Sequence, residues 1–330
     1  MSICWDLSGH PLASGISRWG QQLLSRLPLQ TVSCVGLEFS SATSPVDLLI
    51  ALPVEQLGQA ADSLRRRGHR DGVPAFLEHL SLQANLRGRV DHAWLELDHH
   101  SPGRFSAFLG HPGNLQRAQE RQALLQLVSS CLVDQAECAS SSRQALAQIQ
   151  QRWQHSGLMR RLEAGRHVLS EVGWMNRGAE SHLKLLITPG YRQQPLALME
   201  RLFGPAVATQ LDHQLLNPAC TGIDTDREPL NVHISLALGT TALRAAVEIS
   251  HSPTQQACDF ETLFCRNLQE LPGMGRHVQT LLEHLQTTQR STGQSAPRSQ
   301  FSHIKIPVSR GMANLDRCKC YVRLLPREAR

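Results

Sequence analysis

"NVHISLAL" (residues 231–238), followed after a short break by "RAAVEI" (residues 244–249), alternates between two kinds of side chain. Val232, Ile234, Leu236 and Leu238 fall on one side of an extended chain, and Asn231, His233 and Ser235 on the other. The second run repeats the division, with Ala245, Val247 and Ile249 against Arg244, Ala246 and Glu248. Successive strand side chains point to opposite faces, so two such runs across a turn predict a β-hairpin.

The pattern occurs five times. The other pairs are Val35–Ser40 with Val46–Pro53, His92–Asp98 with Arg104–Leu109, Val168–Met175 with His182–Pro189, and Phe301–Ile306 with Lys319–Leu324. Longer stretches between them carry helical spacing: Val54–Arg70, Ala75–Leu86, Leu115–Val133, Arg143–Leu162, Pro195–Leu216, Phe260–Leu271 and Arg276–Thr288. The tract Gln286–Ser299, rich in Thr, Ser, Gln and Gly, reads as a loop or linker. Hairpins separated by helices argue against a parallel βαβ sheet, in which single strands alternate with helices. They predict an α+β fold, a ten-stranded antiparallel barrel of five hairpins near 35–53, 92–109, 168–189, 231–250 and 301–326, wrapped by helices as one domain. Closure removes exposed sheet edges. Two sheet-plus-helix domains divided near residue 165 are the alternative.

Helices on the outside would draw the apolar strand faces outward and leave the polar faces to line the lumen. Arg104, His182, Lys184, His233, Arg244, His303, Lys305, Lys319 and Arg323 would then converge there with Glu38, Glu96, Asp98 and Glu248. So many partly dry cations need anionic partners, either those acids or a bound polyanion. An ordinary sheet with one core face and one solvated face has the same alternation.

Bulk properties narrow the classes. The 330 residues carry a net charge of +5, with 41% hydrophobic and 18% charged residues, as a globular chain does. Arginines are scattered apart from Arg65-Arg66-Arg67 in a helical stretch, and aromatics make up 5%, which disfavours a nucleic-acid surface. No apolar run is long enough for a membrane span, no signal peptide is evident, and nine irregularly spaced cysteines suit a reduced, cytoplasmic setting. In "CKCYVRLLP" (residues 318–326), Cys318 and Cys320 share a face with Val322 and Leu324, so they are expected in the wall and not on a metal. His99 and His100 point opposite ways on a strand, which disfavours a shared ion, and Cys258 and Cys265 are too far apart for a knuckle. No G-x-S-x-G elbow or aspartate-rich D-D-x-x-D run occurs. "GPAVAT" and "GMGRH" are too sparse for a nucleotide loop.

In repeat architecture, over nearly the whole chain, the sequence resembles the αββα aromatic prenyltransferases, whose five hairpins form a ten-stranded barrel. "GLEFSS" is similar to the Glu-x-Ser of indole-modifying members and falls on Glu38. Lys319-Cys-Tyr321 fits the basic-x-Tyr step of later hairpins. Lys184-Leu-Leu186, Arg244-Ala-Ala246 and Arg104-Phe-Ser106 keep the cation and lose the tyrosine. Asp47-Leu48-Leu49 stands where related enzymes place an arginine.

The resemblance implies transfer of a prenyl group from an allylic diphosphate to an aromatic or peptide acceptor. Arg104, Lys184, Arg244, Lys305, Lys319 and Arg323 would hold the diphosphate, and Glu38 would accept the proton. Trp94, Phe108 and Tyr321 would flank the cation, with His182, His233 and His303 in the lumen. No cofactor is required by this reading, and Mg²⁺ stays possible. A non-catalytic ligand- or peptide-binding barrel, or a cyclase, is the alternative, and the scarcity of tyrosines suits it.

Overall fold

The computed structural model describes residues 12–39, 45–69, 72–82, 90–99, 103–114, 168–176, 182–188, 193–219, 230–237, 243–250, 266–271, 298–309, 312–313 and 317–325, with a few isolated positions besides. The expected helices Leu115–Val133 and Arg143–Leu162, most of Phe260–Leu271 and Arg276–Thr288, and His100, Cys258, Cys265 and "GMGRH" lie outside the described residues.

Eleven strands form one antiparallel sheet. They are β1 (Cys34–Phe39), β2 (Asp47–Pro53), β3 (His92–Leu97), β4 (Ser106–Asn114), β5 (Val168–Met175), β6 (His182–Thr188), β7 (Leu230–Ala237), β8 (Leu243–Ser250), β9 (Arg298–Ser309), β10 (Met312–Ala313) and β11 (Lys319–Leu325). The order runs β9-β11-β1-β2-β3-β4-β5-β6-β7-β8, and β8 pairs with β9, so ten strands close. The two-residue β10 is a flap on β9. Pairing of β4 with β5 carries the sheet across residue 165, where two-domain organisation would have divided it.

The wall residues form strands because one parity of each is apolar and finds an apolar coat. Val35, Leu37, Leu48, Ile50, Leu95, Leu183, Leu185, Val232, Ile234, Val247, Ile304 and Ile306 are all buried. The coat comes from helices with the matching stripe. In α2 (Leu57–Arg66) it is Leu57, Ala60, Ala61 and Leu64, and in α3 (Gly72–Leu82) it is Val73, Phe76, Leu77 and Leu80. Both follow the i, i+3, i+4, i+7 spacing that puts four side chains on one helical face. Each fully buried Leu, Val or Phe among them contributes roughly 1.5–3 kcal/mol. The core is therefore a sleeve between barrel and helices, and Cys318 and Cys320 belong to it as expected.

Several boundaries differ from the periodicity. Val54–Arg70 divides into a 3-10 turn (Val54–Gln56) and α2, because Pro53 sets the entry to the turn. Pro195–Leu216 divides into α4 (Gln193–Phe203) and α5 (Pro205–Leu211), continued by a π turn over Asp212–Leu216. The break is at Gly204, where φ is +97° and ψ 164°, a region essentially restricted to glycine. "GPAVAT" is thus a helix boundary. The linker tract ends earlier than its composition suggests, since β9 begins at Arg298, opposite Leu325. Strand β4 starts at Ser106 rather than Arg104, because Glu96–Ser106 is the last rung and Gly103 turns the chain with φ +83°. An extra helix, α1 (Arg18–Arg26), is capped by the Ser17 hydroxyl, which accepts from the Gly20 N–H at 3.1 Å.

Candidate functional site: the barrel lumen

Cross-strand register puts the polar residues on one inner surface. Glu38 faces Asp47 and Tyr321, Lys319 faces Lys305, and Lys305 faces Glu248. Trp94 faces Phe108, Phe108 faces Gly173, and Gly173 faces Lys184. Lys184, Lys305, Lys319 and Trp94 are half-buried there, whereas the apolar side chains of the outer wall are buried. The inside of the sheet is therefore more accessible to water than its outside.

One cluster centres on Glu38, which is 1% exposed. Its carboxylate accepts from Lys319 Nζ, and from Lys305 Nζ at 3.4 Å. Burial opposes ionisation of Glu38, but Lys305, Lys319 and Lys184 together hold its carboxyl far below the ordinary range. Lys305 also donates to the Tyr321 hydroxyl, and burial lowers its own ammonium to about 8. Asp47 lies beside Glu38, with Oδ1 accepting the His99 backbone N–H at 3.0 Å and Oδ2 3.6 Å from Lys319 Nζ. Burial and the neighbouring Glu38 charge raise Asp47 to about 7.

A second cluster occupies β7, β8 and β9. Glu248 accepts from Asn231 Nδ2 at 2.8 Å, lies 2.5 Å from His233 Nε2 and 3.5 Å from His303 Nε2. Despite burial, His303, His233 and Asn231 keep Glu248 ionised. Nε2 of His233 must then be the donor. Burial and Lys184 push the His233 imidazole down to about 3, so it is neutral, and Nδ1 meets no hydrogen-bond partner among the described residues. The His303 ring stacks on Tyr321 with centroids 3.9 Å apart, joining the two clusters.

Lys184 hydrogen-bonds to neither cluster among the described residues, although its charge acts on Glu38 and on His233. Its Nζ lies 4.8 Å from the centroid of Phe108, and it forms no ion pair among the described residues. Phe108 fits there because Gly173 leaves room: a Cβ on Gly173 would fall 2.0 Å from Phe108 Cδ1. Trp94 lies directly across from Phe108 on β3.

Of the thirteen residues to which the resemblance assigns a place, Glu38, Lys184, Lys305, Lys319, Tyr321, Trp94, Phe108, His233 and His303 converge within the barrel, while His182 is half-buried at its β6 end. The three arginines do not join them. Arg104 precedes β4 and is exposed, Arg244 is exposed near the start of β8, and Arg323 is exposed at the opposite barrel end, beside Cys34. Asp98 is half-buried just beyond β3. Asp47 was missed as a partner of Glu38, although hairpin pairing across residues 40–46 sets the two opposite each other.

Glu38, Asp47 and Glu96 bring one carboxylate oxygen each to within 4.8 Å of one another, hard donors of the kind Mg²⁺ takes. The Lys305 and Lys319 ammoniums already supply positive charge to Glu38, so a divalent ion would have to compete with them.

No protein-family model matches the chain, and no curated protein matches it significantly. Among solved structures, the crystal structure of AnaPT from Neosartorya fischeri aligns with 88% of this chain and 77% of its own at a TM-score of 0.45 and 9% identity. Among the described residues, no helix is long and apolar enough to cross a membrane.

Proposed function

We propose that the lumen binds an allylic diphosphate and transfers its prenyl group to an aromatic or peptide acceptor. The observation that carries this reading is Lys184, a half-buried ammonium that acts on Glu38 only through space and forms no ion pair among the described residues, in one lumen with Lys305 and Lys319. An ammonium in that position gains most from an anion brought to it.

In the proposed reaction the allylic C–O bond breaks, and its electron pair leaves with the diphosphate, whose charge Lys184 and the neighbouring lysines stabilise. The allylic cation is flanked by Phe108 and Trp94. The acceptor ring attacks it, forming the new C–C bond, and the displaced ring proton goes to a carboxylate. Glu38 is ionised and able to receive it, but the lysines that keep it ionised also weaken it as a base. Asp47, raised to about 7, is the better-matched base of the pair near neutral pH.

A non-catalytic binding barrel is favoured by one observation: Glu38 already neutralises Lys305 and Lys319, leaving fewer cations for a diphosphate. Calorimetric titration with a thiolo-diphosphate analogue of an allylic substrate separates the two readings. Binding by the parent, weakened about tenfold in Lys184→Ala and unchanged in Arg244→Ala, supports transfer. Absence of binding by the parent sinks it.

A further inference from the structure

Of the 33 lysines and arginines in the chain, three are lysines, and all three line the lumen: Lys184, Lys305 and Lys319. Everywhere else the chain uses arginine. Anion binding alone does not call for that division, since a guanidinium holds phosphate at least as well as an ammonium. What arginine cannot supply is a neutral amine, because it keeps its proton in proteins.

Lys305 is placed to supply one. Its side chain is 13% exposed, against 29% for Lys319. Its Nζ contacts the Tyr321 hydroxyl, 4.8 Å from the centroid of that ring, and lies 3.4 Å from Glu38 Oε2. Burial favours loss of its proton against the pull of Glu38, and the Lys184 and Lys319 charges add to that effect, leaving it at about 8. Desolvation and neighbouring cations are the two devices that activate a lysine towards a carbonyl carbon.

We propose that Lys305 is a covalent ligand site, whose amine condenses with an aldehyde or ketone bound in the lumen. The nitrogen lone pair forms the C–N bond while the C=O π pair moves to oxygen, which takes the Tyr321 hydroxyl proton. The nitrogen returns a proton to Tyr321. The C–O bond then breaks as the nitrogen lone pair closes the C=N bond, and the hydroxyl leaves as water with the proton the ammonium had shed. Ammonium plus carbonyl thus gives iminium plus water, with no oxidant or reductant. The iminium keeps a positive charge beside the buried Glu38 carboxylate. This activity does not depend on diphosphate binding, so it stands or falls separately from the transfer proposed above.

Because the chain has three lysines, reductive trapping reports on the lumen directly. The folded protein is incubated with benzaldehyde and cyanoborohydride, and benzyl adducts are located by peptide mass mapping. Lys305 should be modified about tenfold faster than Lys184 or Lys319, although Lys319 is the more exposed. In urea the three should react at similar rates. Lys305→Arg, which keeps a cation beside Glu38, should lose the fast adduct, and Tyr321→Phe should form it about tenfold more slowly.

Faster modification of Lys319 or Lys184 would mean that exposure alone decides, and would overturn the inference. Equal rates at the three lysines, no adduct at Lys305, or a preference for Lys305 that survives in urea would overturn it as well. An undiminished rate in Tyr321→Phe would contradict the proton transfer on which the step is built.

Discussion

Glu38 shows how burial makes a charge dependent on its neighbours. A carboxylate 1% exposed persists as an ion only because Lys305 and Lys319 contact it. Removing Lys305 leaves the buried carboxylate with Lys319 as its one remaining contact, so Lys305→Met should destabilise the protein by about 3 kcal/mol at neutral pH, measured by urea unfolding. Asp47 carries a prediction of pH dependence. Its folded pKa is about 7 against a reference of 3.8, so the folded state binds the extra proton between those values. The stability this contributes is full below pH 4 and lost as pH rises through 7. Asp47→Asn keeps an oxygen for the His99 N–H and cannot ionise. Relative to the parent it should become steadily more stable from pH 4 to pH 8, and a flat difference would refute the assignment. The face that Lys319, Tyr321 and Arg323 share was legible from alternation alone. What alternation could not give was how far each reaches: Lys319 meets Glu38, and Arg323 remains exposed at the barrel end.

Individual elements explain where sequence reading succeeded and where it stopped. The five hairpins were legible because a strand with one buried face writes a period of two into its residues. Helices α2 and α3 were legible for the corresponding reason at a period of 3.6. Ends were harder, because they depend on where pairing partners run out. Arg104 has strand-like parity but lies beyond the last rung of β3 and β4. Gly204 breaks a helical stretch through its backbone angle, which apolar periodicity does not record. The Phe108–Gly173 contact was equally hidden, since β4 and β5 belong to different hairpins and meet only in the assembled sheet. It gives a direct prediction at this scale. Gly173→Ala places a methyl against Phe108 and the Ala107 carbonyl, and should destabilise the fold by about 1–3 kcal/mol on thermal or urea unfolding. Gly204→Ala, away from the lumen, should cost a similar ~1–3 kcal/mol and leave ligand binding intact.

At the scale of the molecule, the arrangement of polar and apolar surface decides what the protein can do. The hydrophobic sleeve lies outside the sheet, so the lumen is free to hold charge. Side chains linked by hydrogen bonds, ion pairs and one ring stack run around it, from Thr188 and Asn231 through Glu248 and His303 to Tyr321, Lys305, Glu38, Lys319 and Asp47. The sequence foretold converging charge, but not that the acids would partner two of the lysines and leave Lys184 on an aromatic ring. Charge pairing across strands far apart in the chain is fixed by closure, which no local pattern encodes. The central claim is that Lys184, together with Lys305 and Lys319, forms an anion site inside the barrel. It is tested most directly by the crystal structure of the protein with an allylic thiolo-diphosphate. The account predicts phosphorus density in the lumen within ion-pair reach of Lys184 Nζ, with that ammonium displaced from Phe108. Phosphate density at the exposed Arg104, Arg244 or Arg323, with Lys184 still on the ring, would contradict it.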